Sequence, residues 1–235
     1  MQEKRLKEWQ SYLEKLDAKE RIRWAIDKFG AKKITFASSL GLEDQIITHL
    51  LLSITKEVEI FTLDTGRLFH ESYLTMEKTE QYYAFRYRIY FSERKDVENM
   101  VNEKGINLFY DSVENRKLCC YIRKVKPLSR ALKGRKCWIC GLRREQALTR
   151  NNIEALEWDE VNKLYKLNPL YDWTMEMVWN FIKQNRVPYN KLHNEGFISI
   201  GCAPCTRAIK EGEDIRAGRW WWENPEHKEC GLHKR

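Results

Sequence analysis

Short apolar runs alternate along the first half of the chain with segments whose apolar residues have helical spacing. The runs KITFAS (33–38), VEIFTLD (58–64) and YRIYFS (87–92) predict β-strands, because they are short and rich in β-branched and aromatic residues. The segments 43–54 and 70–82 between them predict helices. Strands that alternate with helices indicate βαβ units, so we expect an α/β fold with a parallel sheet flanked by helices.

The chain on either side of this region is patterned as well. Trp9, Leu13 and Leu16 share one face of a predicted first helix, and Asp17 with Glu20 has the sequence pattern of a capping box at the start of a second. The remaining predicted elements are helices over 93–104, 118–132 and 174–185 and a strand over 136–142.

The character of the sequence changes after Pro188, where Gly, Pro and charged residues become frequent. We find no internal repeat and no low-complexity linker, and we therefore expect a single α/β domain with N-terminal helices over residues 1–205. Residues 206–235 are expected to form a functional tail. The three tryptophans at 220–222 are too apolar for a frayed end, so the tail should dock on the domain at least that far.

Composition narrows the classes of function. The 235 residues have a mean hydropathy of −0.66, and no apolar run approaches the roughly 20 residues that span a bilayer. The N-terminus has no secretory pattern, so we expect a cytoplasmic protein without a membrane partner. Lys and Arg number 42 against 34 acidic residues, and the net charge of +8 favours an anionic partner such as a nucleotide or a nucleic acid.

Two polar, glycine-containing loops follow neighbouring predicted strands. SSLGLED (38–44) lies between a strand and a helix, where backbone N–H groups and the helix dipole favour an anion. LDTGR (63–67) follows the next strand, and ligands of open α/β sheets bind outside the carboxyl ends of strands. The first loop is not a Walker loop, because it lacks the closing Gly-Lys-Ser/Thr. The candidate nucleotide-binding residues are Ser38, Ser39, Gly41, Leu63, Thr65 and Gly66.

The cysteines form a second constellation. Four thiolates suit a [4Fe–4S] cluster or a tetrahedral zinc ion, and an adjacent pair at 119–120 argues against ordinary structural zinc. Adjacent side chains can reach one centre only from helical or distorted backbone. Spacing alone does not decide whether the CxxC at 202–205 or the CxxC at 137–140 joins the pair, and buried cysteines at 137 and 140 would also suit a strand. The chain has seven cysteines, namely Cys119, Cys120, Cys137, Cys140, Cys202, Cys205 and Cys230.

Cys230 lies among basic residues near the C-terminus. His227, Lys228, His233 and Lys234 are close to it in sequence, and positive charge favours the reactive thiolate. The alternative is an incidental thiol in a frayed basic tail, and local composition does not choose between the two.

A set of motifs distributed in order along the chain resembles one family. SSLGLED, LDTGR, CCYIRKVKPL, GLRREQ, SIGCAPCTR, GRWWWE and KECGLH are similar to the assimilatory adenylyl-sulfate reductases, relatives of the phosphoadenylyl-sulfate reductases. The resemblance covers nearly all of the chain past residue 30. It implies an adenine-nucleotide alpha-hydrolase-like fold, related to the PP-loop proteins. It also implies a [4Fe–4S] cluster on Cys119, Cys120, Cys202 and Cys205, with Cys230 as the catalytic nucleophile.

The resemblance further implies a reaction in sulfate assimilation and cysteine biosynthesis. Adenylyl sulfate would be reduced to sulfite and AMP through an S-sulfocysteine, with thioredoxin or a glutaredoxin-like dithiol as reductant. The branch of the family that acts only on 3′-phosphoadenylyl sulfate lacks the cluster cysteines, which favours adenylyl sulfate here. We expect the basic run at 116–126 to offset the negative charge of the cluster. Further substrate contacts implied by the resemblance are Lys124, Arg143, Arg144, Arg216, Arg219 and His233.

Three alternatives stay open from the sequence: a reductase that also accepts 3′-phosphoadenylyl sulfate, an iron–sulfur enzyme that thiolates tRNA, and a non-catalytic module that binds nucleic acid. The thiolating enzymes resemble SGGxDS where this chain has SSLGLED. The non-catalytic module would leave both loops and Cys230 unexplained. We therefore expect no nucleic-acid partner, while the sequence does not determine whether the chain forms a homo-oligomer.

Overall fold

The computed structural model of the chain describes residues 2–146, 150–224 and 232. The strands of this part are β1 (Ile34–Ala37), β2 (Glu59–Asp64), β3 (Arg88–Phe91), β4 (Cys137–Ile139), β5 (Leu156–Asp159) and β6 (Leu164–Leu167). They form a six-stranded sheet in the order β3-β2-β1-β4-β6-β5. Every neighbouring pair is parallel except β5 and β6, which are antiparallel.

Helices alternate with these strands along most of the chain. They are α1 (Gln2–Leu13), α2 (Ala18–Phe29), α3 (Leu42–Leu52), α4 (His70–Tyr83), α5 (Arg94–Lys104), α6 (Val113–Cys120), α7 (Lys126–Leu132) and α8 (Met175–Gln184). The predicted α/β fold with a parallel sheet flanked by helices is therefore confirmed. After α8 the described chain adds no strand to the sheet and includes short 3₁₀ turns at Lys191–Glu195 and Ala203–Cys205.

The strand order creates a crevice at one edge of the sheet. From β1 the chain proceeds outward through β2 and β3, and it then returns to the opposite side of β1 to form β4. At such a reversal the connections from two adjacent parallel strands leave in opposite directions, and the space between them opens beyond the carboxyl ends of the strands. The topology thus predicts a ligand crevice where β1 and β4 end.

The structure corrects two of the predicted elements and adds two strands. The helix expected over 118–132 begins earlier, at Val113, and contains a π-helical turn over Tyr121–Val125. The strand expected over 136–142 is only Cys137–Ile139, because the chain turns away at Gly141 to pass the start of α3. Strands β5 and β6 were not predicted from the sequence, since each has four residues and too short an alternation to be distinguished from a loop.

The two N-terminal helices pack on the sheet as their pattern predicts. Leu13 is fully buried, and the ring of Trp9 packs against those of Trp24 and Tyr165. The expected capping box of α2 is confirmed, since the Asp17 side chain accepts from the Glu20 N–H and the Glu20 side chain accepts from the Asp17 N–H. The described part of the chain holds no helix of the length and apolarity that a membrane crossing requires.

Arg21 joins α2 to the segment that follows β6. Its guanidinium donates to both carboxylate oxygens of Asp172 at 2.7 Å and to the carbonyl oxygens of Leu13 and Pro169 at 3.1 and 2.9 Å. The residue is only 2% exposed, so its removal would leave two buried carbonyl groups without these donors.

We predict that Arg21→Met lowers the free energy of unfolding by about 2–4 kcal/mol, because buried acceptors lose their donors. Arg23→Met is the matched control, since Arg23 is exposed on the same helix, and it should change stability by less than about 0.5 kcal/mol. Denaturant unfolding of both variants measures the difference. Equal stability of the two variants would contradict this role of Arg21.

Candidate functional site

A pocket lies in the predicted crevice at the carboxyl ends of β1, β2 and β4. The loops that follow these three strands form its floor, and the segments 198–201 and 215–220 form the opposite wall. Nine residues expected to bind the nucleotide lie in the lining of this pocket, namely Ser38, Ser39, Gly41, Leu63, Thr65, Lys124, Arg143, Arg216 and Arg219. The structure thus brings together residues that are separated by up to 181 positions in the sequence, from 38 to 219.

The loop after β1 is held in shape by its own acidic residue. Asp44, in the first turn of α3, accepts from both the backbone N–H and the hydroxyl of Ser39, each at 2.6 Å. Leu40 has a φ of 65°, which turns the loop back toward the helix. Burial raises the pKa of Asp44 to about 6, while the two hydrogen bonds from Ser39 act in the opposite direction. The loop is therefore preformed by an internal contact.

Gly141 lets the end of β4 approach this loop. A Cβ atom at this position would lie 2.2 Å from Oδ1 of Asp44, so any side chain would collide with the carboxylate. The backbone of Gly141 also donates a hydrogen bond to Asp44. The first loop is thus braced by the strand on its other side, and a glycine is required for the contact.

The loop after β2 turns at Gly66, whose φ is 69°. The Gly66 N–H donates to Oδ1 of Asp64 at 2.7 Å, and the hydroxyl of Tyr73 donates to the same carboxylate. The guanidinium of Arg123 donates to the Thr65 carbonyl oxygen at 2.6 Å. Gly66 itself is not among the described residues that line the pocket, and its part is to shape the turn beside Thr65.

Four cysteines belong to one buried cluster beside this second loop. Cys119 and Cys120 end α6, Cys202 precedes the 3₁₀ turn and Cys205 ends it, and all four are buried within one apolar cluster. The tandem pair lies where the α-helix changes into the π-helical turn, which agrees with the expectation of helical or distorted backbone for two adjacent ligands. The structure therefore brings the tandem pair together with the CxxC at 202–205.

Backbone contacts attach the cysteine segment to the pocket loop. The Ala203 N–H donates to the Arg67 carbonyl oxygen at 2.8 Å, and Leu68 forms an antiparallel bridge with Cys202. The Thr65 hydroxyl lies 3.3 Å from the Cys202 sulfur. The cysteine centre and the pocket consequently share the loop after β2.

Burial and nearby cations act in opposite directions on these thiols. Burial raises the pKa of Cys119, and the guanidinium of Arg123 lowers it. Burial raises the pKa of Cys205 to about 12, while Lys124 and Arg219 lower it. Within the described residues, no three Cys, His, Asp or Glu side chains meet in the way that a single metal ion requires.

Cys137 and Cys140 lie elsewhere. Cys137 begins β4, Cys140 follows it, and both are fully buried in the main hydrophobic core. Burial raises the pKa of each thiol well above its ordinary value. Cys137 thus has the surroundings of a small buried hydrophobe on a strand, the alternative that the sequence left open, while Cys140 follows the strand and also lies in the lining of the pocket.

The arginines of the GLRREQ motif have protein partners. Arg143 is 1% exposed, donates to Glu43 at 2.8 Å and to the Trp173 carbonyl oxygen at 3.0 Å, and lines the pocket. Arg144 is not among the described residues of the pocket lining. Its guanidinium lies 4.7 Å from the centre of the Tyr171 ring and donates to the Ile153 carbonyl oxygen. The geometry therefore gives Arg144 no contact with the pocket.

From the sequence we expected the basic run at 116–126 to offset the negative charge of the cluster. In the structure, two members of the run are instead paired with acidic residues. Arg116 forms an ion pair with Glu223 at 2.7 Å, and Lys126 forms one with Asp96 at 2.8 Å. Arg123 lowers the pKa of Cys119, and Lys124 lowers that of Cys205.

The two tail residues to which we assigned chemistry, Cys230 and His233, lie outside the described residues. Leu232, between them in sequence, is described and lines the pocket. The expected docking of the tryptophans is confirmed at Trp220, which is 1% exposed, while Trp221 is 40% exposed.

The sequence analysis missed the third strand end and the role of two glycines. Trp138, Gly141 and Leu142 line the pocket beside the two predicted loops. A Cβ atom on Gly201 would lie 2.3 Å from the Arg219 guanidinium. A glycine directly after a predicted strand is the signal that would have pointed to Gly141, whereas Gly201 needs the fold to explain it.

Comparisons with known proteins show which family the chain resembles. Residues 33–208 match the family described as phosphoadenosine phosphosulfate reductase domain. The chain is 53% identical over 202 residues to an adenosine 5′-phosphosulfate reductase of Allochromatium vinosum, covering 86% of this chain and 79% of the relative. A relative of the same description from Burkholderia cepacia is 47% identical over 216 residues, covering 91% of this chain and 86% of that protein.

The fold has a counterpart among solved structures. A phosphoadenylyl-sulfate reductase from Candida auris, solved as a phosphate complex, has a TM-score of 0.73 and 27% identity, and covers 87% of this chain and 96% of that one. The adenine-nucleotide alpha-hydrolase-like, PP-loop-related fold expected from the sequence is confirmed. The chain belongs to the phosphoadenosine phosphosulfate reductase family.

Proposed function

We propose that this enzyme reduces adenylyl sulfate to sulfite and AMP with electrons from a protein dithiol. In the first step the Cys230 thiolate attacks the sulfur atom, the bond from sulfur to the phosphate oxygen breaks, and AMP leaves with that electron pair. In the second step one thiolate of the dithiol attacks the Cys230 sulfur and releases sulfite. Its second thiolate then frees Cys230 and leaves the reductant as a disulfide.

One observation carries the proposal: a nucleotide-type pocket and a centre of four cysteines share a wall. Lys124 lines the pocket and also lowers the pKa of Cys205, so a single cation faces both. Thr65 lines the pocket and contacts the Cys202 sulfur. Binding of a nucleic acid does not require the pocket to adjoin the cysteine centre. A reaction of a charged nucleotide beside that centre does require it.

Cys119, Cys120, Cys202 and Cys205 would hold a [4Fe–4S] cluster. The donor set fits, because the four buried thiols come from two segments and their environment includes the cations Arg123, Lys124 and Arg219. Cysteine binds metal as the thiolate, so binding of the cluster would release protons. When bound, the cluster would supply a fixed negative charge that orients these cations.

The tail would bring the nucleophile to the pocket. Leu232, which follows Cys230 by two positions in the sequence, lies in the pocket lining, and this supports the proposal that the tail acts there. Thr206 and Arg219 form an antiparallel bridge, so the described part of the tail returns to the cysteine segment before it ends. On this basis we assign residues 1–205 to the α/β domain and residues 206–235 to a catalytic tail.

Cations in the pocket would counter the charge of the sulfate and phosphate groups. Lys124, Arg216 and Arg219 reach the pocket from two different walls, and attack by a thiolate on an anion needs such screening. His233 would join them from the tail. Arg143 would act mainly by fixing Glu43, because its guanidinium is already paired.

The relatives favour adenylyl sulfate as the substrate, since those at 53% and 47% identity are named adenosine 5′-phosphosulfate reductases. The Candida auris neighbour is named for the 3′-phosphorylated substrate, so we include that compound as a competing substrate in the test. Thioredoxin or a glutaredoxin-like dithiol in the cytoplasm would complete the reaction. An RNA gel shift addresses the tRNA-thiolating alternative, and we expect no shift.

The first prediction concerns the pocket cations. Lys124→Ala, Arg216→Ala and Arg219→Ala should each lower kcat/KM for sulfite release from adenylyl sulfate. A hydrogen bond to a charged group contributes roughly 1.5–3 kcal/mol, which is about tenfold or more in rate. Lys133→Ala, at an exposed position after α7, is the control and should be unchanged. Near wild-type kinetics in all three pocket variants would place the anion site elsewhere.

The second prediction concerns the cysteine centre. Anaerobically purified protein should contain four iron and four sulfide per chain and absorb visible light, as a [4Fe–4S] cluster requires. Cys202→Ser and Cys119→Ser should lose the iron, because a ligand is removed. Cys137→Ala and Cys140→Ala are controls at equally buried cysteines of the other CxxC and should keep it. Loss of iron from Cys140→Ala with retention in Cys202→Ser would show that the ligand assignment is wrong.

A further inference from the structure

A buried ion pair joins the helix of the tandem cysteines to the tail. Arg116 lies three residues before Cys119, and its guanidinium donates to the two carboxylate oxygens of Glu223 at 2.9 and 2.7 Å. The two side chains are 1% and 3% exposed, so the pair is removed from water. We refer to these two residues as the Arg116–Glu223 pair.

Trp220 lies between this pair and the pocket. The guanidinium carbon of Arg116 lies 4.7 Å from the centre of the Trp220 ring, and that of Arg219 lies at the same distance from it. Trp220 has a φ of 42°, an uncommon conformation that costs a bulky residue about 1–2 kcal/mol. The Glu223 N–H donates to the Trp220 carbonyl oxygen at 2.9 Å, so the pair holds Trp220 through both its ring and its backbone.

Arg219 depends on packing for its orientation. Within the described residues, the guanidinium makes one long hydrogen bond, of 3.4 Å to the Ser199 hydroxyl, and its Nε has no partner there. The guanidinium instead occupies the space that a side chain on Gly201 would fill and lies against the Trp220 ring. A flexible side chain held mainly by two surfaces changes direction if either surface moves.

We infer that Arg116 and Glu223 are positioning residues for Arg219, which they orient toward the substrate anion through Trp220. The inference rests on the proposed function, in which Arg219 contacts the phosphate or sulfate group. A buried ion pair contributes little net stability, because desolvation offsets the attraction. The Arg116–Glu223 pair lies between the cysteine helix and the strained Trp220. Orienting Arg219 is the role that explains this position.

A double-mutant cycle tests this inference. Arg116→Met with Glu223→Leu replaces the pair by apolar side chains, an exchange that is often neutral for stability. In the wild-type background Arg219→Ala should weaken AMP binding and lower kcat/KM for adenylyl sulfate about tenfold or more. In the background without the pair, the same Arg219→Ala change should cost less than about threefold, because Arg219 is no longer oriented.

Arg207→Met with Glu213→Leu is the matched control. This pair has a similar two-pronged geometry at 2.9 Å but lies on the surface of the tail, so Arg219→Ala should keep its full effect there. Thermal unfolding and iron content show that each background is intact. If the background without the pair does not fold, Arg116→Lys replaces it, since Lys keeps the charge but cannot form the two-pronged contact.

An undiminished effect of Arg219→Ala in the background without the pair would overturn the inference, as would no effect of Arg219→Ala in the wild type. These results differ from a failure of the proposed function, which would appear as wild-type protein that neither binds AMP nor releases sulfite. In that case Arg219 has no such anion to face, and the inference falls with the proposal.

Discussion

The contact between the loop after β2 and the segment that carries Cys202 and Cys205 determines the arrangement of the site. The hydrogen bond from Ala203 to Arg67 and the contact between Thr65 and Cys202 hold two segments together that are more than 130 residues apart in sequence. Because the loop after β2 also lines the pocket, a group held by the cysteines would lie beside a ligand in that pocket. The tail extends this arrangement, since the Trp220 N–H donates to the Cys205 carbonyl oxygen.

Charge in the site is distributed by the partners that each cation already has. Arg143 and Arg116 are almost fully buried and satisfied by carboxylates, so they contribute to the shape of the site. Lys124 and Arg219 lie where the pocket and the cysteines meet, and both lower the pKa of Cys205. A basic sequence therefore does not translate into a uniformly positive site. In the folded chain a few cations face the pocket and the cysteines, and others are paired with carboxylates.

Much of the fold follows from the sequence because its strands and helices differ in period and lie in simple alternation. The capping box at Asp17 and the two loops at Ser38 and Thr65 were predicted for the same reason, since each depends on neighbours within a few residues. Strands β5 and β6 and the π-helical turn after Cys120 were not predicted, because tertiary pairing and packing define them. The contact of Gly201 with Arg219 is equally non-local.

The choice between the two CxxC motifs also could not be made from the sequence alone. Spacing left Cys137 and Cys202 equivalent, and only the fold separates them: one lies on a central strand, and the other lies opposite the tandem pair. The partner of Arg116 could not be predicted either, because Glu223 is 107 residues away and reaches it only after the tail has docked. Composition predicted an anionic partner, while the position of each charge required the structure.

The central claim is that Cys230 forms a covalent sulfur adduct at the pocket, and mass spectrometry of the enzyme without reductant tests it most directly. Incubation with adenylyl sulfate should release AMP in an amount equal to the enzyme and add one SO₃ group to the peptide that contains Cys230. A subsequent dithiol should remove the group as sulfite. The account is contradicted if the added mass lies on another cysteine, or if AMP is released without any adduct on the protein.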